Sequence, residues 1–310
     1  MKILVADDDS ILRILMQRTL QKFGYEVVLA ENGRTAAEIL MRSDGPRLAL
    51  VDWMMPELDG AGLCRKLRSS HREDDGYIYI VLTTTKRSTA DIVAGLEAGA
   101  DDYITKPCQP GELKARLHTG CRILSLEEKL VQAREQMRYR ATHDALTSIW
   151  NRASILSLLQ SELERSVRES KSTSVLLCDV DHFKQVNDNH GHLIGDIVLQ
   201  EVAKRLTSIV RSYDAVGRYG GEEFLVFLSH CDESNLKARS EEIRAGVADT
   251  PIVAGSEELS ISVSVGAVAC QRWDPRLSIE RILARADIAL YRAKADGRNR
   301  TAIADMLTPA

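Results

Sequence analysis

Two sets of acids in this chain sit where the surrounding pattern lets them do chemistry. Asp7, Asp8 and Asp9 follow the apolar run 3–6, Asp52 follows the run 48–51, Thr83 ends the run 78–82, and Lys106 follows 103–105. In open α/β sheets functional groups collect at the carboxyl ends of strands, which brings these acids, the hydroxyl and the ammonium to one pocket. Clustered carboxylates repel unless a cation joins them, and oxygen-only ligands favour Mg²⁺. A carboxylate on that metal beside a lysine can accept a phosphoryl group, because both cations offset the developing charge. Taken singly the residues are weaker signals: Asp9 or Ser10 suits a helix cap, and Lys106 suits plain solvation.

The second set lies in CDVDHFKQVNDNHGHLIGD and RYGGEEF. Asp179 and Asp181 alternate at the end of an apolar run, so extended backbone points them the same way. Gly220 and Gly221 form a two-residue turn signal before the run 224–228, which puts Glu222 and Glu223 beside the strand carrying Asp179. Acids converging from two strands suit divalent metal handling phosphates. A surface hairpin with solvated acids suits the same two pieces.

The elements that must position these residues read as two α/β units. Runs at 3–6, 27–30, 48–51, 78–82 and 103–105 are expected strands, with helical spacing over 11–23 and 34–41 between them. Gly24 fits the position just past the first helix. This alternation predicts a flavodoxin-like, doubly wound parallel sheet over 1–118. From 119 to 142, Ile123, Leu126, Leu130, Ala133, Met137 and Arg140 recur at heptad-like spacing, which suits a linker helix that pairs with a second copy as a coiled coil, the alternative being one surface helix packed on its own domain. Residues 143–310 form the second domain, with strands expected over 175–177, 224–228 and 261–265 and helices over 155–168, 197–211, 236–247 and 279–295. Its sheet is expected to be mixed and mainly antiparallel, flanked by helices, and Ser262 and Ser264, alternating with apolar neighbours, suggest one polar sheet face.

Composition narrows the class. At 310 residues the chain has length for two domains. Lys+Arg of 41 against Asp+Glu of 45 leaves a net charge of −4, which argues against a non-specific nucleic-acid binder. Hydrophobic residues at 44% and charged residues at 28% fit folded globular domains. No apolar run reaches the roughly 18 residues of a membrane span, and the opening MKILVADDD lacks the pattern of a signal peptide. Six dispersed cysteines without a CxxC pair read as reduced thiols. The expectation is a cytoplasmic protein without membrane or nucleic-acid partners.

Over 1–118, the stretches VADDDS, VDWMMPELDG, LTT and AGADDYITKP resemble the response-regulator receiver domain. The resemblance implies that Asp52 is the phosphoacceptor, phosphorylated through a cognate histidine kinase, and that Asp7, Asp8, Asp52 and the Met54 carbonyl hold Mg²⁺. It further implies that Thr83 and Lys106 bind the phosphoryl oxygens, that Tyr103 is the aromatic switch, and that Lys106–Pro107 is cis. Cys108 departs from the phenylalanine often found after Lys-Pro.

Over 140–303 the sequence resembles the GGDEF domain of diguanylate cyclases, in its GGEEF form, with DALTSIWNR as the opening motif and Ile149 in place of its usual leucine. That family joins two GTP molecules into cyclic di-GMP and releases two pyrophosphates. The resemblance implies Mg²⁺, with Mn²⁺ as an alternative, on Asp179, Glu222 and the Val180 carbonyl. Glu223 would lie near the attacking 3′-hydroxyl, and Gly220 and Gly221 at the α-phosphate. Lys184, Lys294, Arg298 and the amides of His182, Phe183 and Lys184 would grip the outer phosphates. Asn187 and Asp196 match the guanine contacts; an acceptor at Asp196 favours guanine, whose N1–H and amino group adenine lacks. RSYD, with Arg211 and Asp214, resembles the product-inhibition site, the alternative being an i,i+3 ion pair. One nucleotide per domain implies a homodimer. A cyclase domain that binds nucleotides without turnover usually lacks a metal acid or a glycine, and here both are present.

Overall fold

Short apolar runs buried on both faces require helices above and below the sheet, and the first unit is built that way. The computed structural model describes residues 1–70, 76–85, 88–255, 257–270 and 278–304, in two compact units, Met1–Glu135 and Gln136–Ala310. In the first, β1 (Lys2–Ala6), β2 (Glu26–Ala30), β3 (Leu48–Asp52), β4 (Tyr79–Thr84) and β5 (Asp102–Thr105) pair in parallel in the order β2-β1-β3-β4-β5. Between them run α1 (Ser10–Lys22), α2 (Gly33–Leu40), α3 (Gly60–Ser70) and α4 (Thr89–Glu97), and α5 (Pro110–Thr142) follows. Leu4, Ala49, Ile80 and Leu82 pack with α2 and α3 on one face, and Ile3, Val5, Leu50 and Val81 with α1 and α5 on the other. The parallel sheet matches the sequence expectation.

Local signals act as read. Asp9 caps α1, its carboxylate accepting from the Ile11 and Leu12 amides; Gly24 lies just beyond the helix at φ +86°, a region open to glycine. The expected linker is the continuation of α5, and its start is not free of the sheet. Leu117, Gly120 and Leu124 are buried, and a Cβ at Gly120 would come within 2.6 Å of the Tyr79 ring. Beyond them the stripe turns outward, with Leu126, Leu130 and Met137 exposed at 59%, 70% and 71%.

The second unit contains α6 (Arg152–Glu169), β6 (Thr173–Val180), α7 (Phe183–His190), α8 (His192–Ile209), β7 (Ala215–Gly220), β8 (Glu223–Ser229), α9 (Glu233–Ala248), β9 (Ile252–Ala254), β10 (Glu257–Leu259), β11 (Val263–Cys270), α10 (Ile279–Ala295) and β12 (Thr301–Ile303). Its main sheet runs β12-β11-β6-β8-β7, antiparallel except for β12 against β11; β9 and β10 form a separate ribbon. Alternation sorts the core: Leu176, Cys178 and Val180 face α8 and α9, while Val175 and Leu177 face α6 and α10.

Two expectations shift and one element is added. The strand expected over 261–265 is β11, which begins at Val263 and continues to Cys270 through small residues that α10 needs for close approach. The helix expected over 197–211 begins at His192 and ends at Ile209, and the short α7 ahead of it was not anticipated. The six cysteines are free, and burial pushes the Cys178 thiol up to about 12. Among the described residues no helix is long and apolar enough to cross a membrane.

Gly266 shows how tightly α10 seats on the sheet. A Cβ there would meet the Ala286 carbonyl oxygen and the Leu290 nitrogen, each at 2.2 Å. Backbone cannot yield as a side chain can, so Gly266→Ala is expected to destabilise the second unit by about 2–3 kcal/mol. The test is a lowered urea midpoint in chemical denaturation at unchanged slope.

Candidate functional site

The first acid set converges at one edge of the parallel sheet. Asp7, just past β1, and Asp52, the last residue of β3, are 6% and 8% exposed. With the exposed Asp8 they bring one oxygen each within 4.8 Å of one another, the only such group of three among the described residues. Lys106 Nζ lies 2.8 Å from Asp7 and 3.0 Å from Asp52, and the Thr83 hydroxyl is 3.4 Å from Asp52. Burial pushes the Asp52 carboxyl above its ordinary value, Lys106 opposes this, and Asp7 adds to it. Burial alone would lower Lys106, but its bonds to Asp7 and Asp52 hold the ammonium above its usual range. An all-oxygen donor set of this kind fits Mg²⁺. The Lys106–Pro107 bond is cis. Met54 exposes its side chain, and Tyr103 is half-buried with the Arg116 guanidinium 5.4 Å from its ring.

The second set is positioned by strand parity. Asp179 continues the face of Val175 and Leu177, and Glu223 the face of Leu225 and Phe227, so both point toward the side that α10 covers. They are direct partners in the β6–β8 register. From α10, Lys294 Nζ reaches Asp179 at 2.8 Å. The hairpin turn consists of Gly221 and Glu222, one residue later than the Gly-Gly reading: Gly220 is the last residue of β7 and pairs with Glu223, and Gly221 takes φ +49°. The Val180 amide donates to the Glu222 carbonyl at 3.3 Å. Burial raises the Asp179 carboxyl, Lys294 pulls it down, and the Glu222 and Asp181 charges add to the rise. Glu223 is raised by burial first and then by Asp179. The expected ligands, Asp179, Glu222 and the Val180 carbonyl, offer oxygen donors only, the chemistry that a hard divalent ion takes.

Asp181 does not join that set. β6 ends at Val180, and the Asp181 carboxylate accepts from the Ser262 and Ser264 hydroxyls, both at 2.6 Å, and from the Asn299 amide at 3.0 Å. The serines of the expected polar face are thus partners of a buried acid. Asn187 on α7 and Asp196 on α8 stand on neighbouring helices. Their approach depends on Gly195, where a Cβ would lie 2.0 Å from Asn187 Oδ1; no local pattern marks that requirement. His182, Lys184 and Arg298 are exposed, Phe183 is half-buried, and His182 and Arg298 both have positive φ.

Arg211 and Asp214 do not form the i,i+3 ion pair. Asp214 Oδ2 accepts from the Arg211 amide at 2.9 Å and Oδ1 from the Ser229 amide at 3.0 Å. The Arg211 guanidinium is exposed beside Tyr213, whose hydroxyl it meets at 2.8 Å. Both residues line a cavity of about 330 Å³ with His143 and Trp150. Nearby, Arg218 donates to the Gly221 carbonyl at 2.9 Å and to Asp144 of the opening motif at 3.1 Å. Sequence reasoning did not single out Arg218, because its two partners come from opposite ends of the motif set.

Residues 3–118 match the response regulator receiver domain and residues 141–300 the family described as "Diguanylate cyclase, GGDEF domain". The response regulator PleD of Caulobacter vibrioides is 34% identical over 81% of this chain and 55% of its own length. Diguanylate cyclase A of Treponema denticola is 39% identical over 54% of this chain and 46% of its own. The chain thus spans about half the length of these curated relatives. The crystal structure of the coiled coil and GGDEF domain of DgcB from Caulobacter crescentus, in complex with c-di-GMP, superposes with a TM-score of 0.54 at 31% identity, covering 62% of this chain and 99% of that one. With the acid turn in place and over half its residues matched, the chain belongs to the GGDEF domain family and carries a response regulator receiver domain ahead of it.

Proposed function

We propose that the protein is a cytoplasmic, phosphorylation-regulated diguanylate cyclase that condenses two GTP into cyclic di-GMP as a homodimer. The observation that carries this reading is the cross-strand pair of Asp179 and Glu223 at the Gly221–Glu222 turn, with Lys294 on Asp179. Asp179, Glu222 and the Val180 carbonyl would hold Mg²⁺ or Mn²⁺, which spreads phosphate charge and acidifies the 3′-hydroxyl when bound. Space over the turn is open: a Cβ at Gly221 would meet nothing within 4 Å, and one at Gly220 only Glu223 at 3.9 Å. That leaves room for an α-phosphate against backbone.

Lys184, Lys294, Arg298 and the amides of His182, Phe183 and Lys184 hold the β- and γ-phosphates. Glu223, raised by burial and by Asp179, takes the proton of the 3′-hydroxyl. The 3′-oxygen bonds to the α-phosphorus of the opposite GTP as the α–β anhydride bond breaks and pyrophosphate departs. Each domain presents one nucleotide, so the partner copy brings the second.

Phosphorylation of Asp52 by a cognate kinase supplies control; Asp7, Asp8, Asp52 and the Met54 carbonyl would hold Mg²⁺, whose charge would offset that of the phosphoryl group. Thr83, Tyr103 and Lys106 respond to the phosphoryl group, and paired copies of the 119–142 helix convey the change. Incubation with GTP and MgCl₂, with and without acetyl phosphate, is expected to yield cyclic di-GMP by mass spectrometry, faster with the phosphodonor. Asp52→Asn removes the acceleration; a variant still accelerated by the donor overturns the receiver's role.

Arg211 is proposed to bind the product on its exposed guanidinium, whereas Asp214 shapes the turn behind it. Arg211→Ala is therefore expected to relieve product inhibition while leaving initial rates unchanged, read from progress curves with added cyclic di-GMP. Inhibition that persists at full strength refutes the assignment.

Gly195 sets the guanine contact by letting Asn187 approach. Gly195→Ala displaces the Asn187 amide and is expected to raise KM for GTP by about tenfold or more. The check is steady-state kinetics on GTP with a urea melt as the folding control.

A further inference from the structure

The acid that the metal set leaves out has its own place in the substrate site. Asp181 is 6% exposed and makes no ion pair among the described residues. Three donors converge on its carboxylate: Ser264 on one oxygen, and Ser262 and the Asn299 amide on the other. A carboxylate can accept from all three, whereas an amide offers one acceptor oxygen and brings donors of its own.

The third donor belongs to a costly segment. After Gly297 at φ +114°, Arg298 takes φ +60° and Asn299 φ +45°, left-handed conformations in which a Cβ crowds its own backbone. Such a pair persists only where its surroundings over-determine it. The backbone ties are the Arg298 amide on the Ala293 carbonyl at 3.0 Å, the Asn299 amide on Asp181, and the Val265 amide on the Arg300 carbonyl at 3.0 Å; Arg244 also donates to Asn299 Oδ1 at 2.5 Å, and the Arg300 guanidinium to the Arg298 carbonyl at 3.2 Å. Arg298 thus has its backbone held on both sides, and Asp181 supplies the far-side hold nearest to it, on the amide of the very next residue. On its own strand end, Asp181 leads directly into His182, which also has positive φ at 57°, and then Phe183 and Lys184.

We infer that Asp181 is a positioning residue that joins the two triphosphate-holding segments, 182–184 and 297–300, and aims Arg298 through the Asn299 amide. This rests on the reading above that Arg298 grips the outer phosphates. The contrast to measure is GTP against GMP, which keeps the base and the α-phosphate and lacks the groups that Arg298 would hold. In the full chain, Asp181→Asn is expected to weaken GTP binding by about tenfold and GMP binding by less than about twofold. The double variant Asp181→Asn with Arg298→Ala should bind GTP no more weakly than Arg298→Ala alone, because both changes remove one contact. Should Asp181→Asn fail to fold in a urea melt, the double variant Ser262→Ala with Ser264→Ala carries the same GTP-against-GMP contrast. Equal loss for GTP and GMP, no loss for either, or additive losses with Arg298→Ala overturns the inference. If Arg298→Ala alone leaves GTP affinity unchanged, the phosphate reading itself fails and takes the inference with it.

Discussion

Each unit of the chain gathers carboxylates at a strand end, and each gathering is held by a single lysine from a later element. Lys106, just after β5, bonds both Asp7 and Asp52; Lys294, from α10, bonds Asp179. The lysine side chains are 17% and 33% exposed and the acids 9–11%, so these pairs lie largely out of water. Removing a partner from such a pair costs on the order of 3–5 kcal/mol, while an apolar set of similar volume would be at least as stable. The arrangement is therefore poorly explained by stability and well explained by binding. A lysine suits this work because it is one compact cation on a flexible stem. It can hold like charges together and then turn to a phosphate.

Much of this was legible because the signals are local. Apolar runs ending in acids located the strand ends, Gly24 and Asp9 marked the limits of α1, and the GGEE turn announced the hairpin. What was not legible depends on partners distant in sequence. Asp179 and Asp181 look alike in the chain, yet β6 stops between them: one acid meets Lys294 and the other two serines and an amide. Ser262 and Ser264 read as a wet sheet face because the acid they serve is some 80 positions away. Gly195 and Gly266 carry no turn signal. Each is required by something that approaches it in space, the Asn187 amide in one case and the α10 backbone in the other.

Within the second unit the opening motif is wired to the Gly221–Glu222 turn. Asp144 accepts from the Thr147 amide and hydroxyl and from Arg218, and these bonds hold its carboxyl below the ordinary range despite burial. Arg218 passes the connection to the Gly221 carbonyl. At the end of α5, Tyr139 stacks on His143 at 4.0 Å between ring centres, and His143 lies 4.4 Å from Trp150. The Trp150 carbonyl in turn accepts from the Arg218 amide at 2.8 Å. A rotation at the end of the helix thus has a continuous path of packed rings and hydrogen bonds to the turn bearing Glu222, all of it inside one unit.

The exposed stripe on α5 sets how strong that input needs to be. Leu126, Leu130 and Met137 stand in water at heptad-like spacing, an apolar stripe of the kind that a second copy of the helix covers in a coiled coil. Burying a leucine or methionine against a second copy stabilises by roughly 1.5–3 kcal/mol each, and loss of translational and rotational freedom opposes it. In the proposed homodimer, three such residues per chain would make a seam that forms and shifts without locking. A seam of that strength is the kind a modification of a few kcal/mol at Asp52 can bias between two registers, because a ligand moves an equilibrium only by its differential interaction with the two states. On the proposed function, a longer, fully buried coiled coil would hold the two GGDEF domains together and leave the receiver nothing to control.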